Sequence, residues 1–144
     1  MKSVALALAC LLWLATAAAD DAAREDYMLN CQGCHLPDAT GREPYVPNMV
    51  NELGRILAVP GGRSYLVQVP GTSHSPLSNA EIAALLNWMV REFSAATLPA
   101  DFRPYTGAEV AEYRASPELD IMARRRSLLV AMGNQDPRRE QGTD

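Results

Sequence analysis

In the stretch "LNCQGCHLPDATG", residues 29–41, lie two of the chain's three cysteines and one of its two histidines. Cys31, Cys34 and His35 form a C-x-x-C-H run. A C-x-x-C pair can be a redox dithiol, half of a zinc site, a small disulfide or half of a haem attachment site. Structural zinc needs about four ligands. Beyond this trio, the residues after the leader described below offer His74 and carboxylates. A thioredoxin-like dithiol requires an α/β sheet around it, and no alternating strand pattern is visible. The adjacent histidine points to the fourth chemistry: two thiols form thioethers with the vinyl groups of a haem, while the neighbouring imidazole binds the iron. The short spacing lets one turn of backbone deliver all three groups to one porphyrin.

The N-terminus bears on the same choice. "MKSVALALACLLWLATAAAD" has one positive charge at Lys2, an apolar run from Val4 to Leu14, and small residues Ala17, Ala18 and Ala19 before Asp20. This pattern predicts a secretory signal peptide over residues 1–19. Its apolar run is too short to span about 30 Å of hydrocarbon comfortably. Export fits covalent haem attachment, which occurs outside the bacterial cytoplasm, and predicts a periplasmic protein. Cleavage removes Cys10, leaving Cys31 and Cys34 with no second pair for a disulfide framework. It also removes Lys2, the only lysine, taking the net charge from −4 to −5. A mildly acidic chain is a poor candidate for nucleic acid or anionic membrane surfaces. The basic run Arg124–Arg126 lies in a helical pattern and reads as a solvated face.

The elements that must position the trio follow from local signals. Residues 20–30, "DDAAREDYMLN", lack Gly and Pro and begin with acids, as a helix N-terminus prefers. Tyr27 lies four residues before Cys31 and shares its helix face. Residues 36–76 are rich in Pro and Gly and read as a long loop wrapping the haem edge. Short helical turns are expected at "NMVNELGRIL" and "GGRSYLVQV", the second open to a strand reading. The clearest helix is "SNAEIAALLNWMVREF", residues 78–93. Ser78 and Glu81 form an S-x-x-E capping box, and Leu77 with Ile82 suits a hydrophobic staple. Ile82, Leu85, Leu86, Met89 and Phe93 recur on one face. Thr106 and Glu109 repeat the capping grammar. Ser116 and Pro117 read as the start of a last helix that Gly133 would end. Residues 134–144 are polar and expected to be disordered.

With these elements placed, residues 22–93 resemble a class I monohaem cytochrome c. Ala23 and Tyr27, eight and four residues before Cys31, match the small residue and aromatic of the family's N-terminal helix. Leu85 and Trp88 in "LLNWM" match the apolar–x–x–aromatic signature of the helix that crosses it. Gly41 fits the turn beyond the motif, and "VPNM" is similar to the family's P-x-L element. The resemblance implies an all-α, cytochrome c-like fold around one covalent haem. It divides the chain into a haem domain over 20–94, a helical C-terminal extension over 95–133 and the tail. It further implies that His35 is the proximal iron ligand and that the Pro47 carbonyl accepts its imidazole N–H.

The family's distal Met, in an "MP" context before the last helix, has no counterpart in "VPGTSHSPLSNAE", residues 69–81. His74 is the strong iron ligand there and is expected as the distal ligand, with Met49 the alternative. Met28 and Met89 read as core. The function implied is a periplasmic electron carrier rather than an enzyme. Its redox protein partners would be a dehydrogenase or terminal oxidase presenting a basic or apolar face. The missing distal Met keeps a gas- or peroxide-binding haem protein as an alternative. Residues 95–133 keep a third, a dedicated subunit using them as an interaction arm.

Overall fold

A computed structural model describes residues 18–42 and 45–134. The expected signal peptide (except its last residues) and almost all of the expected disordered tail lie outside these. The chain is helical over residues 18–30, here α1. Then come α2 (Glu52–Leu57), α3 (Gly62–Gln68), the single turn α4 (Pro70–Ser73) and α5 (Asn79–Ser94). A 3-10 turn, Ala95–Thr97, leads to α6 (Gly107–Ala115) and α7 (Ile121–Asn134). Among the described residues the only strand-like pairing is an isolated bridge between Arg42 and Val46. The fold is all-α, as expected. The segment "GGRSYLVQV", open to either reading in the sequence, is helical as α3.

The α5 capping box forms in full. The Ser78 amide donates to Glu81 Oε2 at 2.7 Å, and the Glu81 amide donates to Ser78 Oγ at 3.3 Å. Ile82, Leu85, Leu86 and Met89 are all buried, and each such side chain contributes about 1.5–3 kcal/mol of transfer free energy. Tyr27 of α1 is buried against this helix, with its ring centroid 5.6 Å from Trp88 and 5.1 Å from Phe93. Trp88 and Phe93 meet edge-on at 5.2 Å. Ala23, one turn earlier, is also buried. The α1–α5 contact through Tyr27 and Trp88 is therefore present, with Phe93 completing an aromatic trio.

The far end of α5 ties down the segment after the Cys–His motif. Ser94 is fully buried and donates from Oγ to the Met49 carbonyl at 3.2 Å. The Asn51 amide donates to the Phe93 carbonyl, and Thr97 Oγ1 donates to the Asn51 carbonyl. Asn51 itself sits at φ 61°, in the left-handed region that Asn tolerates better than most residues. At Gly54 a Cβ would overlap the backbone of Thr97, so close approach of α2 to the 3-10 turn requires glycine there.

The last two helices, expected as an extension, pack on the preceding ones, α6 on α5 and α3, α7 on α3 and α2. Thr106 caps α6 by accepting from the Glu109 amide at 3.2 Å. The Glu109 carboxylate does not return to the cap. It pairs instead with Arg63 of α3, whose Nη2 donates to Oε2 at 2.7 Å. The last helix begins four residues later than the Ser116–Pro117 signal suggests. Its cap is Asp120, whose Oδ1 accepts from the Ala123 amide at 2.8 Å, and the helix runs on through Gly133 to Asn134. Asp is as good an N-cap as Ser, and Ile121 opens the apolar stripe that buries Leu128 and Met132.

Candidate functional site

The last turn of α1 delivers the Cys–His motif. The amides of Cys34 and His35 both donate to the Cys31 carbonyl, at 3.1 and 2.9 Å. One tight turn thus holds the three side chains together. Tyr27 supports it by donating from its hydroxyl to the Leu36 carbonyl at 2.7 Å. Cys31 and Cys34 are free thiols, Cys31 half-buried and Cys34 exposed. Burial pushes the Cys31 thiol up to about 11, with Asp26 and Cys34 adding to the effect.

All three side chains line a cavity of about 420 Å³, which lies within the range of about 300–1,000 Å³ typical of small-molecule and cofactor clefts. Its wall is predominantly apolar, drawn from Met49, Leu53, Leu66, Leu85, Leu86 and Met89 among others. Burial lowers the His35 pKa below its ordinary value, favouring the neutral imidazole that a metal requires. The His35 Nδ1 atom is buried without a hydrogen-bond partner. Buried polar atoms are nearly always paired, so an orphan imidazole nitrogen on an apolar cavity fits a site made for a group that orders the ring. Pro47 lines the same cavity, and the expected bond from Nδ1 to its carbonyl is not made in this conformation.

Of the two distal candidates, Met49 is buried and lines the cavity, whereas His74 is exposed and does not. His74 ends α4, its amide donating to the Pro70 carbonyl at 3.1 Å. The cavity receives Pro70, Gly71, Thr72 and Ser75 from that region.

No family model matches the chain. Two curated relatives do. A cytochrome c-552 of Thermus thermophilus is 31% identical over 149 aligned positions, covering 89% of this chain and 98% of the relative. A second Thermus thermophilus cytochrome c-552 is 30% identical over 119 positions, covering 68% of this chain and 90% of the relative. The chain belongs to the class I c-type cytochromes. A c-type cytochrome carries covalently bound haem c, and Cys31 and Cys34 are in position to bind it. This cytochrome is a haem c electron-transfer protein and works with redox protein partners. Among its described residues no helix is long and apolar enough to cross a membrane.

The extension supplies cavity residues that sequence reasoning missed. Ile121, Met122 and Arg125 of α7 all line the cavity of this cytochrome. Of the Arg124–Arg126 run, read as solvated, only Arg126 is exposed, and Arg124 lies against Gly61. A run of three arginines carries no local signal for which of them turns inward. That depends on where α7 is laid across α2 and α3.

Proposed function

We propose that this protein is an exported, periplasmic carrier of single electrons, built around one haem. Cys31 and Cys34 hold the porphyrin by thioethers, and His35 binds the iron from the proximal side. The Pro47 carbonyl takes the imidazole N–H that Nδ1 offers once the ring is seated. The bound haem supplies a one-electron ferric–ferrous couple. The chain's own contribution is to exclude water with the apolar wall and to hold His35 neutral. The observation that carries the reading is the convergence of Cys31, Cys34 and a buried, unpaired His35 Nδ1 on one apolar cavity.

Electron transfer without substrate chemistry is favoured by the wall itself. Among the described residues that line it, Arg125 is the one formally charged group and none is a carboxylate. The acidic net charge favours a partner presenting a basic or apolar docking face, such as a periplasmic dehydrogenase or a terminal oxidase. The test is pyridine haemochrome analysis with haem staining after denaturing electrophoresis, on protein exported from a host with haem-attachment machinery. Haem that stays with the denatured chain, and is lost in stages in Cys31→Ser and Cys34→Ser, is the expected result. Haem extracted from the wild type by acidic acetone would show that attachment is not covalent.

A further inference from the structure

The segment that ends α4 and enters α5 is held from outside by one side chain. Arg114 of α6 donates from Nε to the Ser73 carbonyl at 3.1 Å and from Nη2 to the Ser75 carbonyl at 2.6 Å. Its Nη1 donates to the Leu77 carbonyl at 2.9 Å and to Asn79 Oδ1 at 3.0 Å. Four hydrogen bonds from a planar guanidinium fix the orientation of the backbone on both sides of His74. Within this frame the His74 side chain is exposed, while Thr72 and Ser75 line the cavity. The ends of the segment are pinned as well, by the His74 amide on the Pro70 carbonyl and by the Ser78–Glu81 capping box. Turning the imidazole toward the cavity by way of the backbone means rotating the peptides at 73–75. That rotation breaks the Arg114 bonds to Ser73 and Ser75.

We infer that Arg114 is a positioning residue that withholds His74 from the iron, leaving the sixth coordination position open to a small neutral diatomic such as carbon monoxide or nitric oxide. The inference rests on the haem attachment proposed above. The remaining candidate ligands on the wall are thioethers. Met89 is fixed within α5 beside Leu85 and Leu86, and Met49 is held at its backbone by the Ala39 carbonyl and by Ser94. The third, Met122, is 59% exposed on α7. The segment 70–77 gives the cavity Pro70, Gly71, Thr72 and Ser75, none of them a histidine or a methionine.

The test uses the purified holoprotein, with covalent haem verified by haemochrome analysis on the same sample. Failure of attachment is then separate from failure of this inference. Carbon monoxide is titrated into the dithionite-reduced protein, and the ferric spin state is read by EPR. Wild type and His74→Ala are expected to bind carbon monoxide with the same affinity and to share one ferric spectrum. Arg114→Gln frees the segment. It is expected to acquire a low-spin ferric spectrum and to lose at least tenfold in carbon monoxide affinity, with both changes reversed in Arg114→Gln/His74→Ala. A merely structural role for Arg114 would not give an effect that depends on His74. If Arg114→Gln fails to fold, the comparison of wild type with His74→Ala still decides. A low-spin wild type that turns high-spin in His74→Ala overturns the inference. So does a wild type with Met-ligated absorption and no carbon monoxide binding.

Discussion

Replacement of Arg63 by Met should loosen the C-terminal extension from the haem domain. Arg63 lies on α3, and its guanidinium pairs with Glu109 through both carboxylate oxygens. It donates to the carbonyls of Arg103 and Pro104 at 2.7 and 3.1 Å and lies 4.0 Å from the centroid of the Tyr105 ring. The paired side chains are 21% and 22% exposed, so the pair is shielded but not dry. A charged hydrogen-bonded pair is worth about 1.5–3 kcal/mol, discounted toward the lower figure by that residual solvent. Cation–π contact with Tyr105 adds about 0.5–1 kcal/mol. The two carbonyls are exposed and rehydrate, and Met keeps the apolar stem, so neither adds to the loss. The sum is about 2–3 kcal/mol, or roughly 6–12 °C in melting temperature for a domain of this size.

Urea unfolding of the holoprotein followed by circular dichroism measures this. Arg63→Met/Glu109→Gln should cost little more than Arg63→Met alone, since both remove one interaction. Limited proteolysis should show new cleavage between 98 and 106. A loss under about 0.5 kcal/mol, within the range of ordinary surface substitutions, would refute the assignment of this pair as the anchor of the extension.

Three further outcomes follow from the same contacts. Glu109 is held below the ordinary carboxylate range by its hydrogen bonds to Arg63, so its stabilisation is present above about pH 4.5 and lost as pH falls through the lower folded value. Glu109→Gln should therefore flatten the acid limb of a stability–pH profile, and an unchanged limb would contradict the pairing. Trp88→Ala should cost about 3 kcal/mol, the low end for a large aromatic, because the ring is only partly buried against Tyr27 and Phe93. A melting temperature equal to wild type would rule out the α1–α5 crossing. Asp120→Ala should cost about 1 kcal/mol as loss of an N-cap, read by thermal unfolding, whereas Ser116→Ala should cost little. The reverse order would restore Ser116 as the cap of α7.

What the sequence made legible is local. The α5 helix announces itself because its capping box and apolar stripe are complete within sixteen residues, and the Cys–His turn because five residues carry the whole motif. Tyr27 and Trp88 could be paired in advance through a family resemblance, although periodicity alone would have placed each only on an apolar face. What could not be read is non-local. Glu109 has the spacing of a capping box, yet its carboxylate goes to Arg63, 46 residues away, because a guanidinium there outcompetes a single backbone amide. Ser116 and Asp120 are both good caps, and the choice between them falls to the packing of Leu128 and Met132. Arg114 has no spacing signature at all. Its four bonds exist because α6 is laid beside the entry to α5. His74 has the chemistry of a ligand, but the backbone on either side of it is held by those bonds, which its residue type does not reveal.

The most direct test of the central claim, that Cys31, Cys34 and His35 hold one covalent haem, is intact-mass spectrometry of the exported protein after denaturation. The account predicts a chain beginning at Asp20 and heavier than its polypeptide by one haem, with the increment absent when both cysteines are replaced by serine. A denatured chain with the mass of the bare polypeptide, from a preparation that was red before denaturation, would contradict it.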